Sequence, residues 1–288
     1  MNKKAIIFGS AGQDGIFLAK QCKARGIDCI PLINNSKGDV RNYNSVSKII
    51  RLVNPDYIFH LSAKSSASHD LVFDNHEIIS TGVLNILEST KKFTPNAKVF
   101  IVGSGLQFKN DEHPISEDVE FEGRDPYSIA RIQSVYAGRY YRSLGLNVYI
   151  GYLFNHDSEY RSLDSVSQKI IQFVKKIKLG EYGKLIIGNI SVKKEWGYAE
   201  DIVNGILDLV EQNNFSEAII GTGVAYSIES WLDICFKYAG HDWQDFVEIK
   251  PLYVPEYKIL VSNPSRIKSI GWKPKVDIDE LASIMINH

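Results

Sequence analysis

Cysteine is nearly missing from this chain: only Cys22, Cys29 and Cys235 occur among 288 residues. Three thiols at that spacing give neither a disulfide framework nor a zinc-ligand set, and they read as free thiols of a reducing cytoplasm. Net charge is also missing. The formal value of −1 at pH 7 gives no electrostatic case for nucleic acid or an anionic membrane as partner. No apolar run approaches the length of a bilayer span, so no membrane insertion is expected. Met1-Asn2-Lys3-Lys4 leads straight into an apolar segment, which leaves no room for a signal peptide. The seven histidines are scattered without a metal-ligand cluster, so no metal is expected. There are no repeats and no low-complexity tract. A chain that is 44% hydrophobic and 23% charged is that of a soluble globular protein able to bury a real core.

What is present begins at residue 5. The apolar run 5–8 reads as a buried strand, and Gly9, Gly12 and Gly15 follow at GxxGxxG spacing. Residues 16–25 then take a helical pattern, with Ile16, Leu18, Ala19 and Cys22 able to share a buried side. Strand, glycine turn and helix are the parts of a dinucleotide-binding unit, in which the glycines admit a pyrophosphate and the helix N-terminus faces it. A tight turn without a ligand is the competing reading. The position of the glycines, after a strand and opening a helix, favours the nucleotide.

Further strands are expected at 27–33, 57–61, 99–102, 148–153 and 218–221. Helices are expected at 46–53, 78–90, 127–144, 166–177 and 198–210. Such alternation predicts an α/β fold, a Rossmann-type doubly wound parallel sheet. The texture changes near residue 154, where a polar, turn-rich stretch begins. The expected division is 1–154 with 198–222 as the NAD(P)-binding part, and 155–197 with 223–288 as a smaller mixed C-terminal substrate domain.

The connection after the second strand is too short for a further helix and strand. Where an acid usually holds the adenosine ribose, this chain has Asn34 and Asn35. No carboxylate there repels a 2′-phosphate, and Ser36 and Lys37 are at hand. This leans towards NADP, with NAD left open. Asp39 and Val40 are candidates for the adenine side, although Asp39 serves equally well as a turn cap. In His60-Leu61-Ser62-Ala63-Lys64, Leu61 and Ala63 lie at a strand end, where small residues let a cofactor pass. His60 reads as a satisfied strand-end histidine rather than a ligand.

Tyr127 and Arg131 stand four apart at the start of a helix, on one face. A cation beside a phenol favours the phenolate, and such a tyrosine exchanges a proton with a hydroxyl or carbonyl. Ser104, at a strand end, is placed to hold the same oxygen. Taken alone, the pair is an ordinary helix-surface contact, and it is the nucleotide unit upstream that gives it weight.

Several segments together carry a resemblance. Gly9-Ser10-Ala11-Gly12-Gln13-Asp14-Gly15, Leu153-Phe154-Asn155-His156-Asp157-Ser158, Gly188-Asn189-Ile190, Glu195-Trp196-Gly197-Tyr198-Ala199-Glu200-Asp201, Gly221-Thr222-Gly223 with Tyr226-Ser227, and Asn263-Pro264-Ser265-Arg266 with Gly271-Trp272-Lys273-Pro274 occur in order. With these the chain resembles the extended short-chain dehydrogenase/reductases, in the branch of GDP-mannose 4,6-dehydratase and GDP-4-keto-6-deoxymannose reductase. The resemblance implies an enzyme of polysaccharide biosynthesis acting on a nucleotide sugar. It implies Tyr127 as proton donor or acceptor, Ser104 on the substrate oxygen and Arg131 on the cofactor ribose. It places Gly9, Gly12, Gln13, Asp14, Gly15, Asn34, Asp39, Val40, Leu61 and Ala63 at the cofactor. Asn155, Arg161, Lys169, Lys194 and Glu256 fall to the substrate. It further implies a homodimer built on a four-helix bundle from the helices at 78–90 and 127–144.

Two departures decide the reaction. Arg131 replaces the family's lysine, and the exchange is not conservative. Leu106 replaces the glutamate that removes the proton next to the 4-keto group, and leucine has no acid–base chemistry. Oxidoreduction at C4 of a nucleotide-linked, GDP-linked, deoxy or keto sugar needs no such base. The alternatives are a 4,6-dehydratase with a non-standard base, for which Glu112 and Glu117 are the near acids, and a catalytically impaired nucleotide-sugar-binding homologue.

Overall fold

The computed structural model describes residues 2–32, 38–250 and 257–288. Six parallel strands form the central sheet: β1 (Lys4–Phe8), β2 (Asp28–Leu32), β3 (Tyr57–His60), β4 (Lys98–Ser104), β5 (Asn147–Leu153) and β6 (Glu217–Ile220). Their order across the sheet is β6-β5-β4-β3-β1-β2. Ala5 to Phe8 and Tyr57 to His60 are buried throughout, as expected of strands covered on both faces. β2 is an edge strand, and it carries Pro31, which an edge tolerates because a neighbouring ladder would need its missing N–H. The sheet thus stops one strand short on the side that the short connection after residue 33 predicts. The order reverses at β1, between β2 and β3, and in sheets of this kind the carboxyl ends of the strands at such a switch point are where ligands bind.

Helices α1 (Gln13–Ala24), α2 (Tyr43–Val53), α3 (Gly82–Phe93), α4 (Pro126–Ser143), α5 (Val166–Lys178) and α6 (Ala199–Glu211) match the periodic segments within a few residues, and α7 (Ile228–Lys237) and α8 (Ile278–Asn287) follow in the C-terminal part, where no helix bounds were expected. The helix expected at 78–90 departs from that pattern. It begins earlier, as an α turn over Val72–Asn75, widens to a π turn over His76–Thr81 and tightens again to α at Gly82. A Cβ on Gly82 would lie 2.9 Å from Val40 Cγ2 and 3.2 Å from His60 Nε2, so the helix packs close only because residue 82 is glycine.

α6 returns to lie against α1, where Gln21 donates to Glu200 and Arg25 pairs with Asp208. The later residues build small sheets: Lys193–Glu195 between Ala225–Ser227 and Ile259–Leu260, Leu185–Ile187 beside Val247–Ile249, and His156–Asp157 beside Gly197–Tyr198. Trp196 stacks on Trp231 with centroids 4.5 Å apart, within the hydrophobic cluster that also takes one face of the central sheet.

The helix that carries Tyr127 is fixed at both ends. Asp125 caps it, accepting from the Tyr127 and Ser128 amides at 2.8 and 2.9 Å, and Pro126 starts the first turn. Further along, Glu217 on the edge strand β6 accepts from Arg139 (2.9 and 2.7 Å), Arg142 (2.8 Å) and the Tyr152 hydroxyl (2.6 Å). Burial opposes ionisation of Glu217, but these donors prevail and hold its pKa down at about 2. A depressed carboxyl stabilises the fold above its unfolded pKa, near 4.5, and loses that contribution as pH falls towards 2. Glu217→Gln is therefore expected to lower unfolding free energy at neutral pH by about 3 kcal/mol, because it leaves two arginines without their counter-ion. Denaturant unfolding of both proteins at neutral and acid pH checks this, and the gap should close towards acid.

Candidate active site

The glycine loop divides into packing positions and an open one. Gly9 has φ +88°, and a Cβ there would lie 2.7 Å from the Ser62 amide nitrogen. A Cβ on Gly15 would lie 2.5 Å from both Gly9 O and Ser10 Cα. Both glycines therefore let strand, loop and helix close on one another. Gly12 differs: a Cβ there would meet only Gly9 O, at an ordinary 3.6 Å. It stands at the N-cap of α1, and no side chain caps that helix. The cradle is thus exposed backbone at a helix N-terminus, the arrangement that receives an anion.

Gln13 and Asp14 turn away from this opening, towards residues 156–158. Gln13 donates to the His156 carbonyl (3.2 Å) and accepts from the Ser158 hydroxyl (3.0 Å). Asp14 lies 2.9 Å from His156 Nε2. On the β3 side, the Leu61 amide donates to Phe8 O, and Leu61 and Ala63 are half-buried. Asp39 accepts from the Arg41 amide (3.0 Å) and guanidinium (2.9 and 2.8 Å), which is the turn-cap arrangement. Val40 is buried and its carbonyl accepts from Asn85. Asn34 and Glu256 lie outside the described residues.

Ser104 closes β4. Its amide donates to Gln107 Oε1 (2.8 Å) and its oxygen accepts from the Leu106 amide (3.2 Å). That pair orients the hydroxyl and leaves its proton uncommitted among the described residues. Leu106, on the next turn, packs its side chain against the apolar cluster on one face of the sheet. Tyr127 is half-buried, with the Arg131 guanidinium carbon 5.1 Å from its ring centroid. Arg131 is only 2% exposed; it donates to the Val102 carbonyl at 2.8 Å, and its Nε has no partner. No carboxylate pairs with it among the described residues. A buried cation with an unused donor is unfavourable unless something supplies the missing acceptors. His60 is fully buried beneath this region and donates from Nε2 to Ile78 O at 3.1 Å. Burial, and then the Arg131 charge, push its pKa down to about 3, so it stays neutral as a strand-end histidine.

On the other side of the cleft, Asn155 is half-buried, and its carboxamide makes no hydrogen bond among the described residues. Asp157 is buried, accepts from Ser167 (2.5 Å) and lies 3.6 Å from Arg161. Burial opposes its ionisation, but the Lys194 and Arg161 charges keep its carboxyl below the usual range. Lys194 sits over Trp196, 4.4 Å from the ring centroid, and burial pulls its ammonium pKa down. Lys169 is an exposed residue of α5 and makes no ion pair among the described residues. The two acids near Leu106 in sequence are both committed away from it. Glu117 accepts from the Ile219 amide and faces Arg266, and Glu112 faces Lys258. Sequence reasoning passed over Asp157, Ser167 and the tie from Asp14 to His156. The only local signal was the polar residues crowded into 155–158.

A parallel sheet of this order, with an uncapped glycine cradle at its switch point, defines a Rossmann-type dinucleotide-binding protein, with Ser104 and Tyr127 on neighbouring elements. The chain belongs to the GDP-mannose 4,6 dehydratase family, whose model matches residues 35–285. It is 28% identical over 321 residues to GDP-mannose 4,6 dehydratase 2 of Arabidopsis thaliana, covering 99% of this chain and 86% of that one. Its fold matches that of RMD from Pseudomonas aeruginosa complexed with NADPH (TM-score 0.85, 18% identity, 100% and 97% of the two chains). It also matches that of a GDP-6-OMe-4-keto-L-xylo-heptose reductase from C. jejuni (TM-score 0.85, 18% identity, 99% and 97%). At such identities the two structures speak for the fold alone.

Proposed function

We propose that this chain is an NAD(P)-dependent oxidoreductase, with NADP favoured over NAD, acting at C4 of a GDP-linked deoxy or keto sugar. The observation that carries the reading is Leu106: a partly buried apolar side chain, packed against the core, stands where elimination needs a carboxylate. Ser104 and Tyr127, which reduction needs, are both kept. The open cradle at Gly12 and the unused Nε of Arg131 fit a dinucleotide's pyrophosphate and ribose. When bound, the nicotinamide supplies or accepts the hydride. Ser104 holds the C4 oxygen by donating a hydrogen bond to it from its free hydroxyl, keeping its own proton. Tyr127 gives that oxygen a proton on reduction, or removes one on oxidation, with the Arg131 guanidinium 5.1 Å from its ring centroid. Asn155, Arg161 and Lys194 face the nucleotide sugar from residues 155–197, which with 223–288 make the substrate part.

The test is to add GDP-4-keto-6-deoxymannose to the purified protein with NADPH or NADH. Loss of the reduced-nicotinamide absorbance with formation of a reduced sugar is expected. Loss of water from GDP-mannose without net use of cofactor would establish a dehydratase instead, and silence with both sugars would favour a binding homologue.

The active form is a homodimer. Leu84 on α3 and Ile129, Tyr136 and Tyr140 on α4 are 47 to 59% exposed, more apolar surface than these two helices need to leave in water. A dimer mass at micromolar concentration is expected by sedimentation, and a monomer mass would contradict it.

A further inference from the structure

Residues 155–158 are nearly extended, with His156–Asp157 paired to Gly197–Tyr198, so their side chains alternate between two sides. His156 and Ser158 face the glycine loop through Asp14 and Gln13. Asp157 faces the opposite group, Ser167 and Arg161, and Asn155 shares that alternation. One short strip therefore touches both halves of the cleft.

The His156 ring has acceptors at both nitrogens. Nδ1 is 2.7 Å from the Phe154 carbonyl and Nε2 is 2.9 Å from Asp14. Two acceptors call for two N–H groups, which only the imidazolium has. Asp14 lies in the first turn of α1, beside the uncapped cradle. Left alone, its charge would oppose a second anion there.

We propose that the Asp14–His156 ion pair is a positioning element joining the two halves of the site: it compensates the Asp14 charge beside the pyrophosphate cradle and, through the same strip, holds Asn155 towards the sugar. This rests on the function proposed above. Arg161 and Arg131 are the other cations whose charge reaches Asp14, and Arg161 and Asp157 are the other charges that act with His156. None of these hydrogen-bonds to Asp14. Burial disfavours the imidazolium, but the Asp14 charge and hydrogen bond prevail and raise its pKa above 6.5. Compensation is therefore complete at low pH and is lost as pH rises through the raised His156 pKa.

The test measures NADPH dissociation constants and sugar KM for wild type, Asp14→Asn, His156→Gln and the double variant. At neutral pH His156→Gln is expected to weaken NADPH about tenfold, because Asp14 is left uncompensated. Removing that charge as well, in the double variant, should restore NADPH affinity to within about threefold of wild type. The sugar KM should stay raised in the double variant, since Asn155 is still unheld. In wild type NADPH binding should weaken as pH rises above 6.5 and through the raised His156 pKa, and Asp14→Asn should flatten that dependence. This pH pair decides the matter even if His156→Gln fails to fold. Unchanged NADPH affinity in His156→Gln, equal losses in the single and double variants, or the same pH dependence in Asp14→Asn would overturn the inference. Wild type that binds neither NADPH nor NADH would overturn the proposed function as well, which separates the two failures.

Discussion

Tyr127→Phe is expected to lower turnover about a thousandfold, the usual worth of a positioned proton donor in such a step. The substitution removes one oxygen. It leaves the ring over Arg131 and keeps the helix start, which depends on Asp125 accepting from backbone amides. Dinucleotide affinity and melting temperature should therefore hardly move. Turnover and KM measured together distinguish this from a folding effect: the loss belongs in turnover. Unchanged turnover would remove Tyr127 as the acid.

The second large effect separates two kinds of glycine. Gly15→Ala forces a Cβ to within 2.5 Å of backbone atoms that no side-chain rotation can clear. A destabilisation of about 3 kcal/mol or more is expected, and nucleotide binding falls with the distorted loop. Gly12→Ala should do the reverse. Its φ of −76° and ψ of 163° suit alanine, and its Cβ touches only Gly9 O, at 3.6 Å. Alanine is the poorer N-cap but narrows the unfolded chain, and these opposing effects leave stability changed by less than about 1 kcal/mol. NADPH affinity should still fall about tenfold or more, because the new methyl stands where the backbone must approach the pyrophosphate. Thermal melts and NADPH titrations of the two variants check this. Equal melting temperatures, or full NADPH affinity in Gly12→Ala, would contradict the division of the loop.

Much of the fold was legible because its cause is local. Apolar runs such as Ala5 to Phe8 must be buried strands, and the short connection after residue 33 leaves β2 at an edge. Less legible were features set by residues distant in sequence. The π turn before Gly82 depends on how Val40 and His60 meet that glycine, which periodicity does not encode. Arg131 looked like half of a surface pair, yet it is buried because α4 lies against β4 and brings the Val102 carbonyl to it. Gln13 and Asp14 sit in a nucleotide-binding motif, but their side chains are used 142 to 145 positions away, at His156 and Ser158. The Asp39 carboxylate closes on Arg41, a contact set by the turn's geometry, which the sequence leaves open beside a place at the adenine.

The most direct test of C4 chemistry follows the hydrogen itself. The protein is supplied with GDP-4-keto-6-deoxymannose and NADPH deuterated at the transferring position, and separately with GDP-mannose alone. With Leu106 in place of a base, the account predicts deuterium at C4 of the reduced sugar and no loss of water from GDP-mannose. A sugar product without label, with GDP-mannose dehydrated, would mean that another group does the work a carboxylate at residue 106 would do.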